Sequence, residues 1–274
     1  MLSVQEVHEK VLYPVVRVRT GNAGGSGVIV YSEPDPKDPA RYINIALTCQ
    51  HVIDAAIKIR DEFDPVLKQQ RKTDYFEEVS VEIFDYESST LISSNSTQAD
   101  IIAYDKHHDL AAVRLKNFRK VENVATIIPN DEIEQMKIWE PVITCGCSLL
   151  HDPFPNPGNI TYLREVIEQK AYVMANAPSI FGNSGGGLFH GDSGHLIGLT
   201  SRVTVTQLGF GVDVQTWMNF STHPDRLYEF FNHQELQFLY DDSDDYYAAM
   251  ERREAKRKNA LRSILFDEHG VSET

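Results

Sequence analysis

FGNSGGGLF, residues 181–189, sets four glycines and an asparagine around one serine, Ser184. A serine hydroxyl is a weak nucleophile near neutral pH. It needs a neighbouring imidazole as base, itself held in one tautomer by a buried carboxylate. Glycines suit such a serine, because two peptide N–H groups converge on a developing oxyanion only where the backbone folds tightly and side chains do not obstruct it. Gly182 and Ser184 are the candidate donors. Upstream, HHDLAAVRL (107–115) places Asp109 before an apolar strand-like run, and LTCQHVID (47–54) places His51 after another. His51, Asp109 and Ser184 therefore follow one another as base, orienting carboxylate and nucleophile.

The flanks of these segments read as β-structure. Residues 11–31, VLYPVVRVRTGNAGGSGVIVY, alternate apolar and polar residues (Val16, Val18; Val28, Val30) about GNAGGSG (21–27). That glycine-rich segment lacks the Lys-Ser/Thr ending of a phosphate-binding loop and predicts a hairpin turn. Another apolar run covers 43–48. Residues 57–75 carry a weak helical period and Pro65, which predicts a loop or short helix inserted between strands. The runs VSVEIF, ADIIAYD, LAAVRL, PVITCG, AYVMAN, HLIGLTSRVTVTQ and GFGVDV follow with turn residues between them, the rhythm of an all-β sandwich or barrel. After Thr216 the spacing of Leu227, Phe230, Phe231, Leu236, Phe238 and Leu239 predicts an amphipathic helix. The last segment puts four Asp (241, 242, 244, 245) before a helix-forming run and a basic cluster, Arg252, Arg253, Lys256, Arg257 and Lys258, within it. That order complements a helix dipole. The run reads either as a solvated helix, or as a helix over 241–266 whose apolar side (Met250, Leu261, Ile264, Leu265) docks on a partner protein or on the chain's own surface.

Taken together, the three segments resemble the His, Asp and Ser boxes of trypsin-like (chymotrypsin-fold) serine proteases, closest to the Deg/HtrA type, over about residues 11–217. GGSGVIV before the histidine strand, DLAAVRL after the aspartate and IGLTSRV after the serine loop carry the same likeness. The resemblance implies two antiparallel six-stranded β-barrels (about 11–118 and 122–217) with the active site between them. It makes residues 1–222 a protease domain followed by a helical extension over 223–274. It implies peptide hydrolysis through an acyl-enzyme, with Ser201 lining the cleft and bonding the triad carboxylate. Pro178 falls at the base of the specificity pocket, with Ser201, Arg202 and Val203 as walls. No carboxylate sits there, so a small or medium apolar residue is expected on the acyl side of the cleaved bond. Asn183 stands where digestive members carry the Asp that pairs with a newly cut N-terminus; an amide forms no such ion pair, so that activation route is not expected. No PDZ-like module is expected to follow.

GNSGG also fits G-x-S-x-G, the nucleophile elbow of α/β-hydrolase esterases. That fold needs a helix after the serine and its histidine last, whereas GGGLFHGDSGHLIGLTS is rich in glycine and β-character. The other alternative is a catalytically silent protease-fold scaffold acting through its C-terminal helices.

Composition narrows the remaining classes. With 26 Lys+Arg against 40 Asp+Glu, the formal charge of −14 repels phosphate backbones, so nucleic acid is not an expected partner. No run approaches a membrane span and MLSVQEVHEK is too charged for a signal peptide, which predicts a cytoplasmic protein. The three cysteines, Cys49, Cys145 and Cys147, predict reduced thiols rather than a disulfide framework. No cofactor and no metal are expected. Cys-x-Cys is not the common zinc spacing, and a site joining His107 and His108 to the cysteines would need distant segments to converge.

Overall fold

The alternating residues at 15–20 and 23–35 fold as the sequence dictates, into paired strands that start a closed barrel. In the computed structural model, which describes residues 1–21, 23–64 and 69–269, a one-turn helix α1 (Val4–Val7) precedes β1 (Val15–Thr20), β2 (Ala23–Asp35) and β3 (Asp38–Thr48). A second short helix, α2 (Gln50–Ile53), leads to β4 (Ile57–Asp64), β5 (Gln69–Phe76), β6 (Val79–Glu87), β7 (Thr90–Asp105) and β8 (Leu110–Leu115). After α3 (Asn130–Ile133) come β9 (Pro141–Gly146), β10 (Phe154–Ile167), β11 (Lys170–Ala175), β12 (Gly187–His190), β13 (Leu196–Leu208) and β14 (Gly211–Thr222). Two longer helices, α4 (Pro224–His233) and α5 (Tyr246–His269), follow. The first barrel closes in the order β1-β2-β3-β8-β7-β6 and the second as β10-β11-β14-β13-β12-β9. Every pairing between these barrel strands is antiparallel, so the fold is all-β, two six-stranded barrels with C-terminal helices.

Period-2 alternation fills each barrel. Val16, Val18, Ile45, Leu47, Val81 and Val113 are buried in the first core, and Ile160, Val173, Leu188 and Ile197 in the second. The helices bind the ends together. Leu227, Phe230 and Phe231 of α4 join the first barrel's cluster although α4 leaves the second barrel, and each such burial contributes roughly 1.5–3 kcal/mol. The start of α5 sits on the first barrel too. Arg114 Nη1 donates to the Tyr246 hydroxyl (3.2 Å), the Tyr247 hydroxyl donates to Asp35 Oδ1 (2.8 Å) and Arg253 Nη2 donates to the Ile102 carbonyl (2.7 Å). This part of the C-terminal run is seated on the chain's own surface, and Met250 packs with it. Leu261, Ile264 and Leu265 lie outside the residues whose side chains are described.

Three local expectations are corrected. The described residues of 57–75 are neither loop nor short helix but the antiparallel strands β4 and β5, a separate two-stranded sheet. It escapes the alternation test because both faces meet water: Ile59, Phe63 and Tyr75 are all exposed, and Arg60 lies 3.7 Å over the Tyr75 ring instead of a residue entering a core. Pro65 falls outside the described residues. The amphipathic helix begins at Pro224, not after Thr216, because residues 219–222 pair with β11 and β13. The glycines of GNAGGSG are not all turn: the pairing runs through Thr20↔Ala23, and Gly24, Gly25 and Gly27 lie in β2.

Helix α4 opens on a pH-sensitive cap. The buried His223 Nδ1 accepts the Asp225 N–H (3.2 Å), which requires a neutral ring. Burial lowers its pKa to about 4; the nearby Asp225 opposes this shift, and Arg164 and Arg226 add to it. An unfolded histidine keeps a value near 6.5. The stabilisation is therefore complete above about pH 6.5 and is lost as pH falls toward 4, on the order of 3 kcal/mol in all. The unfolding free energy extrapolated from urea titrations should fall by about 2.5 kcal/mol between pH 7.5 and 4.5, and His223→Asn, which keeps a cap without a titrating ring, should flatten the dependence.

Candidate active site

Each segment singled out in the sequence arrives at the cleft from a different element. Strand β3 ends at Thr48 and α2 lifts His51 to the rim, where its side chain is 46% exposed. The turn between β7 and β8 ends on Asp109, held at φ +55° with its carboxylate mostly buried. His51 Nδ1 lies 2.9 Å from both Asp109 oxygens, and the His51 backbone N–H donates to Oδ1 at 3.0 Å. Ser201, on β13, donates its hydroxyl to Oδ2 at 2.7 Å. Burial alone would raise the Asp109 pKa. The hydrogen bond and charge of His51, with the Ser201 hydroxyl and the His51 N–H, outweigh it and hold the carboxyl below its usual range. An ionised Asp109 accepts a hydrogen bond from Nδ1–H, which keeps the proton on Nδ1 and leaves His51 Nε2 as the free, basic nitrogen.

The turn that carries Ser184, 181–186, belongs to the second barrel. The Phe181 carbonyl accepts from Leu149 N–H (2.7 Å), and the Asn183 carbonyl accepts from Gly186 N–H (2.8 Å). A trans peptide points its N–H opposite to its carbonyl. The N–H groups of Gly182 and Ser184 are thereby turned away from those anchors, and neither has an acceptor among the described residues. Gly182 sits at φ +96°. Asn183, only 2% exposed, clasps the turn from beneath: its Oδ1 accepts from Ser148 Oγ (2.6 Å) and its Nδ2 donates to Ser179 Oγ (3.3 Å). A neutral amide thus fills the position where an ion pair was not expected. Ser184 Oγ makes no hydrogen bond to His51 among the described residues.

The barrels meet through a residue that the sequence reading missed. Ser26 N–H donates to the Ser184 carbonyl (2.7 Å), Ser26 Oγ donates to the Gly182 carbonyl (2.7 Å), and Cys147 N–H donates to Ser26 Oγ (2.7 Å). The approach is close enough that a Cβ on Gly25 would lie 2.7 Å from the Ser184 carbonyl oxygen. Arg17 adds a second tie: Nε donates to Glu82 Oε2 (2.8 Å) and Nη1 donates to the Leu150 carbonyl, in the turn that anchors Phe181. A serine between glycines in GGSG was the available signal for Ser26; nothing local marks Arg17.

The remaining pocket candidates are engaged as follows. Ser201 spends its hydroxyl on Asp109, Arg202 sends its guanidinium to Glu168, and Val203 is half-buried on β13. Pro178 is exposed, with its carbonyl accepting from Thr144 Oγ1 (3.1 Å). Cys49 is fully buried beside His51 and Asp109, and its thiol donates to the Thr200 carbonyl (3.3 Å). Burial raises the thiol pKa of Cys49 and Cys145 well above the ordinary range and that of Cys147 to about 12, so all three are inert thiols.

No described helix is long and apolar enough to cross a membrane. No curated protein matches the chain. A family model described as the trypsin-like peptidase domain matches residues 25–199, from Gly25 on β2 to Leu199 on β13, two residues before Ser201. With both barrels closed and the matched span taking in His51, Asp109 and Ser184, the chain belongs to the family of trypsin-like peptidase domains.

Proposed function

We propose that the protein is a serine endopeptidase of the Deg/HtrA-like kind, built as a protease domain over 1–222 with a helical extension over 223–274. The observation that carries the reading is the His51 imidazole fixed on an ionised, doubly supported Asp109. Ser184 Oγ attacks the peptide carbonyl as His51 Nε2 takes its proton, and the tetrahedral oxyanion accepts hydrogen bonds from Gly182 N–H and Ser184 N–H. His51 returns the proton to the leaving amine, and water, deprotonated by the same nitrogen, hydrolyses the acyl-enzyme and restores Ser184. Substrates are proteins or peptides. With no carboxylate at Pro178 and Arg202 neutralised by Glu168, a small or medium apolar residue is the preferred acyl-side residue. Three buried thiols suit a reducing compartment, and we place the enzyme in the cytoplasm.

Intact mass after fluorophosphonate treatment tests the reading: one adduct on wild type, absent from Ser184→Ala and His51→Ala. The missing Ser184–His51 hydrogen bond favours one competitor, a silent protease-fold scaffold. Apo sites often tighten that bond only with substrate bound. A folded wild type that takes no adduct decides for the scaffold.

A further inference from the structure

We propose that Asp105, His108, Glu229 and His233 form a binding site for a divalent transition metal of the zinc class, where helix α4 packs on the turn that leads to Asp109. A carboxylate oxygen of Asp105 and a ring nitrogen from each of His108 and His233 all lie within 4.8 Å of one another. Asp105 closes β7, and its Oδ1 is occupied by the N–H groups of His107 (2.7 Å) and His108 (3.0 Å), leaving Oδ2 without a hydrogen bond among the described residues. Glu229 and His233 stand one turn apart on α4, so an i, i+4 pair on the helix faces an i, i+3 pair on the turn.

The second, independent observation is His108 itself. Its side chain is 7% exposed, and its Nδ1 is buried with no hydrogen-bond partner. A buried polar atom left unpartnered is costly, and native structures seldom keep one without a reason. Glu229 Oε2 lies 3.8 Å from that nitrogen, too far for a hydrogen bond. Two ligands of one tetrahedral zinc stand about 3.4 Å apart, so a small inward movement of an exposed glutamate completes the geometry. Two imidazoles with carboxylates select zinc-class ions over magnesium or calcium. The nearby cations are already engaged: Arg226 donates to the His108 and Ala171 carbonyls, and Lys256 to the His233 carbonyl (2.9 Å) and Glu235. His107 is stacked edge-on against His108. The cysteines take no part.

The ion would pin α4 to the turn that delivers Asp109, the residue after His108. Cys49, His51 and Asp109 form another close group of metal-capable atoms, so the test uses the full chain carrying His51→Ala. Zinc titrated by calorimetry should bind at one equivalent, and cobalt should give the visible bands of a four-coordinate ion. His233→Ala, at an exposed position, should weaken binding by more than the about 10–100-fold typical of outer-shell partners, with an unchanged circular dichroism spectrum. Glu229→Gln should weaken it by about 10-fold or more. Absence of stoichiometric zinc binding overturns the proposal, as does binding that both variants leave intact. Neither result depends on peptidase activity, so this failure is separate from failure of the protease reading.

Discussion

Replacing Ser184 by Ala is expected to lower kcat on a peptide substrate by about 10⁶-fold, and His51→Ala by a comparable factor, because either change removes the concerted attack and proton transfer. The double variant should be little worse than either single one, since the two side chains act as a unit. Asp109→Asn is the more informative change, with an expected loss of about 10⁴-fold. The carboxylate accepts from His51 Nδ1, the His51 N–H and the Ser201 hydroxyl. An amide in its place presents an N–H to one of them, and against Nδ1 this forces the proton onto Nε2, where the base must be free. Binding of substrate uses other groups, so the loss should fall in kcat with KM little changed. Urea midpoints and circular dichroism establish that the fold is kept. A kcat within 10-fold of wild type for Ser184→Ala would remove Ser184 from the mechanism, and a small loss for Asp109→Asn would remove its orienting role.

The candidate residues most legible in the sequence are those whose chemistry is announced by their neighbours. Asp109 is followed by an apolar strand, His51 is preceded by one, and Ser184 lies among glycines whose conformation the turn requires. Ser201 came from the resemblance and meets Asp109. Ser26 was illegible as a site residue because its partners, Gly182, Ser184 and Cys147, are distant in sequence and belong to the other barrel. Arg17 was hidden for the same reason. Strand β10 carries Pro155, Pro157 and Gly158, which read as breakers, yet it is one bent strand that pairs with β9 through 154–159 and with β11 from Ile160 onward. The start of α4 was misplaced because residues 217–222 are apolar enough for a helix face, and only pairing with β11 and β13 makes them strand. His108 and His233 could not be joined by spacing at all; the packing of α4 against the Asp109 turn brings them together.

Gly182→Ala is expected to lower kcat/KM by about 10²–10³-fold, the usual effect of losing one oxyanion donor. Gly182 sits at φ +96°, and a Cβ there would lie 2.5 Å from the Cys147 carbonyl oxygen and 2.6 Å from Leu149 N. Both obstacles are backbone. The turn that holds them cannot give way easily: Leu149 and Leu150 already have positive φ, and Arg17 grips the Leu150 carbonyl while salt-bridged to Glu82. Relief must therefore come from rotating the Phe181–Gly182 peptide. That motion breaks the Leu149 N–H to Phe181 carbonyl bond and swings the Gly182 N–H out of the cleft. Gly21→Ala is the matched control. It also has positive φ (+53°), but a Cβ there meets nothing within 4 Å, so it should cost only the left-handed penalty of about 1–2 kcal/mol in stability and leave kcat/KM unchanged. Equal activity losses in the two variants would mean that general destabilisation, not the direction of one N–H, accounts for the effect; near-wild-type kcat in Gly182→Ala would mean that the oxyanion is held elsewhere. A loss confined to Gly182→Ala ties turnover to one peptide whose orientation is set by Leu149, and through Arg17 to the wall of the opposite barrel.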